Sequence, residues 1–279
     1  MNAHIQKEKA TQFRGFHQGP PLLVLPNAWD AASARIIEQA GFRAIATTSS
    51  GVAAALGYRD GQHVSREMMI DAIARITRVV ECPVTADIEA GYGNTLEEVL
   101  QTVKAVIMTG AVGINIEDSL KQHEKALVDI AYQVELIKVL RELATSMDVP
   151  FVINARVDVF LLAIGEPESR FEHAVQRANA YLQAGADCTY PIGILDRTMI
   201  ANLVKAINGP VNILGGPPGP PLLELAQLGV ARVSLAGGLM RSVLGHLRAI
   251  AQELFESGTY TKMNAETLPG SEFRSLFSI

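Results

Sequence analysis

The chain has 279 residues, 48% of them hydrophobic and 19% charged, with 29 acids against 24 bases for a net charge of −5. That composition supplies a large apolar core and excludes a disordered chain. No run of Lys or Arg is present, so nucleic acid and membrane surfaces are not expected partners and a small molecule is.

In chain order, the opening stretch MNAHIQKEKATQFR lacks the apolar segment of a signal peptide, and a cytoplasmic location is expected. LLVLP (22–26) is the first predicted strand, and the turn after it places Asp30 as the N-cap of the helix AASARIIEQA. AIATTS (44–49) is the second. It runs into Thr47-Thr48-Ser49-Ser50-Gly51, whose hydroxyls and backbone N–H groups can bind a carboxylate or cap a helix. Asp60 follows in a loop, Ser65 precedes the helix REMMIDAIARI, and PVTADIE (83–89) is the third strand. Thr95-Leu96-Glu97-Glu98 has the spacing of a capping box. GINIE (113–117), FVINAR (151–156), DCTYP (187–191), VNILG (211–215) and RVSLA (232–236) complete eight strands. Gly41, Gly110, Gly185 and Gly229 stand where left-handed helix caps belong, just before the next strand. Cys82 and Cys188 begin strands and read as buried, reduced thiols.

Strict alternation of strand and helix fits either a doubly wound sheet or a closed barrel. No Gly-rich phosphate turn follows the first strand, and polar residues gather after nearly every strand, which favours a (β/α)8 TIM barrel. A single domain over 1–279 is expected, with the barrel at about 20–256 and an extension at about 257–279.

Asp87 and Glu89 are two apart in a predicted strand and so share a face, as do Asn115 and Glu117 in the next. Clustered carboxylates repel unless a cation or a base intervenes, and oxygen donors without His or Cys suit Mg2+, with Mn2+ as the alternative. The competing reading is an ion pair with a base such as Arg156. In FVINARVD, Asn154, Arg156 and Asp158 share a face, and a guanidinium there can grip a carboxylate.

These segments together, Ser50-Gly51, GYRD ending in Asp60, DIEAGYGN, IED with Glu117 and ARVD with Arg156, resemble the isocitrate lyase/phosphoenolpyruvate mutase superfamily over about 20–250. The resemblance implies Asp87 as direct metal ligand, with Asp60, Glu89 and Glu117 supporting it through metal-bound waters. It further implies a small carboxylate held by Ser49, Ser50, Gly51, Asp87 and Arg156, and a catalytic set of Arg156, Glu117 and Asp60. Exchange of the last barrel helix (239–255) between subunits of a homodimer or homotetramer is implied as well, with a C-terminal helical extension beyond it. Where isocitrate lyases carry a Lys-Lys/Arg-Cys-Gly-His loop, this chain has Ser119 to Lys125 with Lys121 and His123 but neither cysteine nor glycine. The reaction expected is C–C cleavage of a small α-oxo or α-hydroxy carboxylate through a metal-stabilised enolate. The alternatives are P–C chemistry on a phosphonopyruvate-like substrate and a non-catalytic keto-acid-binding barrel.

Overall fold

The computed structural model describes residues 3–120 and 125–277. The first barrel strand comes in two pieces, β1 (Leu23–Leu25) and β2 (Asn27–Ala28). It is followed by β3 (Ile45–Thr47), β4 (Val84–Asp87), β5 (Gly113–Glu117), β6 (Val152–Val157), β7 (Cys188–Pro191), β8 (Asn212–Leu214) and β9 (Arg232–Ser234). All pairs are parallel. β2 to β7 neighbour one another in chain order, β8 pairs with β9, and β9 pairs back onto β1. A parallel bridge between Thr189 and Val211 joins β7 to β8 and closes the circle, so the expected (β/α)8 barrel is the architecture observed.

The helices α2 (Ala31–Gln39), α3 (Ser49–Ala55), α4 (Arg66–Val79), α5 (Leu96–Met108), α6 (Ile130–Ser146), α7 (Arg170–Gln183), α8 (Arg197–Ala206) and α9 (Leu222–Gln227) return the chain between strands. Their starts follow the expected chemistry. Asp30 accepts the Ser33 N–H, Ser65 accepts the Met68 N–H, and Thr95 and Glu98 form a reciprocal capping box. Each such cap is worth about 1 kcal/mol. Gly41, Gly110, Gly185 and Gly229 all have positive φ, between +84° and +112°, at the ends of their helices.

One element was not expected. α1 (Ala3–Gly15) buries Gln6, Ala10 and Phe13 against the start of the strands. The Gln6 amide donates to the carbonyls of Ile107 and Ala111, and Phe13 packs against Gly113, where a Cβ would meet its ring at 3.1 Å. α1 therefore covers the N-terminal end of the barrel and leaves the C-terminal end open.

At the other extremity, α10 (Gly238–Ser257) buries only Met240. Val243, Leu244, Leu247 and Phe255 are exposed, Phe255 by 93%. The short α11 (Thr261–Ala265) and α12 (Gly270–Ser275) follow, and the chain docks back where the Arg35 side chain donates to the Leu276 carbonyl. No helix among the described residues is long and apolar enough to cross a membrane.

Candidate active site

Inward-facing positions of a TIM barrel are usually branched and apolar. Here the strands turn Asp87, Asn115, Arg156, Tyr190, Arg232 and Ser234 into a polar cavity of about 30 Å3 inside the barrel. Above it lies a much larger opening of about 1040 Å3, lined by Ser50, the Gly215–Pro217 turn and the start of α10. Ala236 borders both, so the small polar cavity is the floor of the large one.

Asp87 is the last residue of β4 and is half-buried. One carboxylate oxygen accepts the Ser49 backbone N–H at 2.9 Å and the other accepts the Asn115 amide at 3.0 Å. The Asp87 N–H in turn donates to the Thr47 hydroxyl. The carboxylate is thus held by the two neighbouring strand ends.

The expectation that Glu89 shares a strand face with Asp87 is corrected. β4 stops at Asp87, and Glu89 has φ +51°, so the alternation of a strand does not carry it. The chain turns sharply at Glu89-Ala90-Gly91-Tyr92, with Tyr92 also at φ +55°. Left-handed conformations at non-glycine residues persist only when surroundings over-determine them. Here the Gln62 N–H and the Tyr92 hydroxyl both donate to the Glu89 carboxylate, at 3.0 and 2.9 Å. Burial, and then the charge of Glu89 with smaller contributions from Asp87 and Asp60, push the Tyr92 phenol well above its usual range. Asp60 itself is exposed.

Glu117 ends β5 and is 2% exposed. It accepts from the Ser119 hydroxyl at 2.6 Å and pairs with Arg156 Nη1 at 2.7 Å. Arg156 also donates Nε and Nη2 to the two oxygens of Asp158, at 2.6 and 3.0 Å. Burial would weaken its charge, but Glu117 and Asp158 outweigh burial and keep the guanidinium protonated. Five N–H groups are available to an arginine. Two are committed to Asp158 and Nη1 lies in ion-pair contact with Glu117, which leaves at least one on each Nη for a ligand.

Asp118 was passed over in the sequence, yet it ties this group together. It is fully buried and accepts the Asp158 N–H at 2.9 Å, the Tyr181 hydroxyl at 2.7 Å and Arg177 Nη1 at 3.0 Å. Arg177 also donates to the Val128 carbonyl, at the base of the loop after β5, where Ser119 and Leu127 form an antiparallel bridge. Lys121 and His123 in that loop lie outside the described residues.

The Ser49-Ser50-Gly51 group is placed at the mouth, but not as three equivalent ligands. The Ser49 N–H is spent on Asp87, and the Gly51 N–H faces the Thr48 hydroxyl at 3.4 Å. Gly51 is there for space: a Cβ would lie 2.6 Å from Thr48 Cγ2 and 2.9 Å from Trp29 Cβ. Ser50, hydrogen-bonded to Thr48 at 3.0 Å, lines the large opening.

Among the described residues no group of three His, Cys, Asp or Glu side chains is close enough to hold an ion directly. Asp87 as the one direct carboxylate ligand suits a hard cation that keeps most of its waters, which is how Mg2+ is commonly bound. The Asp87 oxygens have acceptor capacity beyond the Ser49, Asn115 and Glu89 donors that reach them. Cys188 is buried below the site and Cys82 is partly exposed, both as free thiols.

The family model described as phosphoenolpyruvate phosphomutase matches residues 13–255. A solved structure from Burkholderia cenocepacia J2315, assigned as a lyase/mutase, is 35% identical, covering 99% of this chain and 98% of that one, with a TM-score of 0.91. 2-Methylisocitrate lyase of Escherichia coli (strain K12) is 32% identical over 189 residues, 65% of this chain and 61% of that one. A 2,3-dimethylmalate lyase structure is 26% identical, covering 96% of this chain and 94% of that one, with a TM-score of 0.84.

Proposed function

The chain belongs to the phosphoenolpyruvate mutase family, within the isocitrate lyase/phosphoenolpyruvate mutase superfamily of lyases, mutases and hydrolases, and from that premise we propose that it is a C–C lyase acting on a small α-oxo or α-hydroxy carboxylate. The observation that carries the reading is the Arg156 guanidinium, pinned by Glu117 and Asp158 with two N–H groups left over, in the same small cavity as Asp87.

Arg156 grips the substrate carboxylate with those two N–H groups. Asp87 would hold Mg2+ directly, with Glu89, Glu117 and Asp60 supporting it through water; when bound, the ion would supply charge stabilisation for an enolate oxygen. The Ser50 hydroxyl stands at the mouth to orient the ligand. For a hydroxy acid, the hydroxyl gives its proton to water and its oxygen becomes the carbonyl of one product, the C–C bond breaks with its electron pair moving into the enolate of the other, and a proton returned from water quenches that enolate at carbon. The fixed positive edge of Arg156 needs no reorganisation at that moment. Glu117 and Asp158 serve by holding that edge in place.

The same reading takes the protein as a homo-oligomer that exchanges α10. Its apolar side chains Val243, Leu244, Leu247 and Leu254 recur at helical spacing and are 41–57% exposed, which is more apolar surface than a solvated helix ordinarily presents.

The test is release of a keto acid from a panel of C4–C7 hydroxy and oxo acids with Mg2+ or with chelator. Turnover with Mg2+, lost with chelator and in Asp87→Ala, is expected. Tight oxalate binding with no turnover of any acid would overturn it, and phosphorus NMR on phosphonopyruvate detects P–C chemistry in its place.

A further inference from the structure

A second guanidinium lies below Arg156. Arg232, the first residue of β9, is 1% exposed, and its Nε and Nη1 have no hydrogen-bond acceptor. Among the described residues it makes no ion pair; the acid whose charge reaches it is Asp87, while burial keeps the Cys188 thiol and the Tyr190 phenol beside it neutral. Arginine keeps its proton in a protein interior. A full charge with orphaned donors therefore sits where both are costly.

The space beside it is specific. Arg232 lines the 30 Å3 cavity with Asn27, Thr85, Tyr190, Ser234 and Asp87. Tyr190 Oη is buried there near Ser234 without a well-formed hydrogen bond. Asp87 cannot neutralise Arg232 by contact, because its carboxylate is held by Ser49 and Asn115 at the end of its strand. Arg232 opens its own strand, and its charge is felt by His17 at the closed end of the barrel. The cavity lies between the two depths and has room for about two waters, one halide or one carboxylate group. Water would satisfy the N–H groups and leave the charge; an anion answers both.

We propose that Arg232 and Tyr190 form a small-anion subsite at the floor of the barrel, sized for one halide ion or one carboxylate group. A carboxylate comes from substrate or product, a halide from solution, and the recognising chemistry is the same. The subsite is a property of the resting protein and does not depend on which bond the enzyme breaks.

The test is thermal unfolding of the full chain at constant ionic strength as gluconate, too large for the cavity, is replaced by chloride or formate, together with bromide soaks of wild-type crystals. A saturable rise in Tm with chloride or formate, lost in Arg232→Met, and an anomalous bromide peak within hydrogen-bond reach of Arg232 are expected. If Arg232→Met does not fold, Tyr190→Phe keeps the charge and removes one donor, and the chloride midpoint should rise several-fold. A bromide peak displaced by oxalate assigns the subsite to a substrate carboxylate, and one retained beside oxalate assigns it to a free halide. Only water beside Arg232 in bromide-soaked crystals overturns the proposal.

Discussion

Asp118 Oδ1 accepts the backbone N–H of Asp158 at 2.9 Å, and through this bond a buried carboxylate outside the strand ends sets the position of the one that aims Arg156. The chain of contact runs from Arg177 and Tyr181 on α7, through Asp118 and Asp158, to the guanidinium in the cavity. Rotation of Asp158 would release Nε and Nη2 together, so Arg156 depends on residues that never meet a ligand.

Asp118→Asn keeps the volume but leaves the Arg177 charge buried without its partner. A loss of about 3–5 kcal/mol is expected from breaking a buried pair. Tyr181→Phe removes one hydrogen bond to the same carboxylate and should cost about 1 kcal/mol. Urea unfolding measures both. In the folded Tyr181→Phe protein KM should rise while kcat changes less, since the defect lies in how firmly Arg156 holds the carboxylate.

Arg156→Lys tests the fork itself. A lysine keeps the charge but offers no planar pair of donors, and it cannot face Glu117 and Asp158 while presenting two more N–H groups to a ligand. We expect kcat/KM to fall by at least about 100-fold, equivalent to about 3 kcal/mol, with the fold retained by circular dichroism. Near-normal activity would remove Arg156 from the substrate site.

Gly51→Ala should act through crowding. Its new methyl would stand 2.6 Å from Thr48 Cγ2 and 2.9 Å from Trp29 Cβ, neither of them the end of a flexible chain. An overpacked site of this kind costs about 1–3 kcal/mol. Because Ser49 and Ser50 precede Gly51 in the same turn, the shift should also weaken oxalate binding, which calorimetry would detect.

Much of the barrel was legible because its signals are local. Short apolar runs between helical segments mark the eight strands, and Asp30, Ser65, Thr95 and the four cap glycines mark where helices begin and end. α1 was not legible, since its buried stripe is Gln6, Ala10 and Phe13, only two of them apolar and none flanked by a clear cap. At the site, Asp87, Arg156 and Glu117 stood out as charges in apolar strands. The turn that takes Glu89 out of register depends on a backbone angle that no side-chain pattern encodes. Asp118 finds its partners 59 and 63 residues away, and Arg232 looks like an ordinary strand-opening residue until the strands close around it.

His17 should set part of the acid limb of stability. The ring is 3% exposed, packs edge-on against Phe13 and has Nδ1 3.0 Å from the Phe13 carbonyl. Burial first, and then the charge of Arg232, lower its pKa from 6.5 to about 4. Above the unfolded value the ring is neutral in both states and contributes no slope. As pH falls from about 6.5 toward about 4 the unfolded chain takes up a proton that the folded one refuses, so stability declines across that window and levels off below it. The full difference amounts to about 3 kcal/mol. His17→Gln lacks the titration, so the gap between variant and wild type in urea unfolding should change by roughly that amount between pH 7 and pH 4. Parallel curves for the two proteins would mean that His17 titrates alike in both states, with the ring open to water and the packing of α1 against the barrel floor looser than the structure has it.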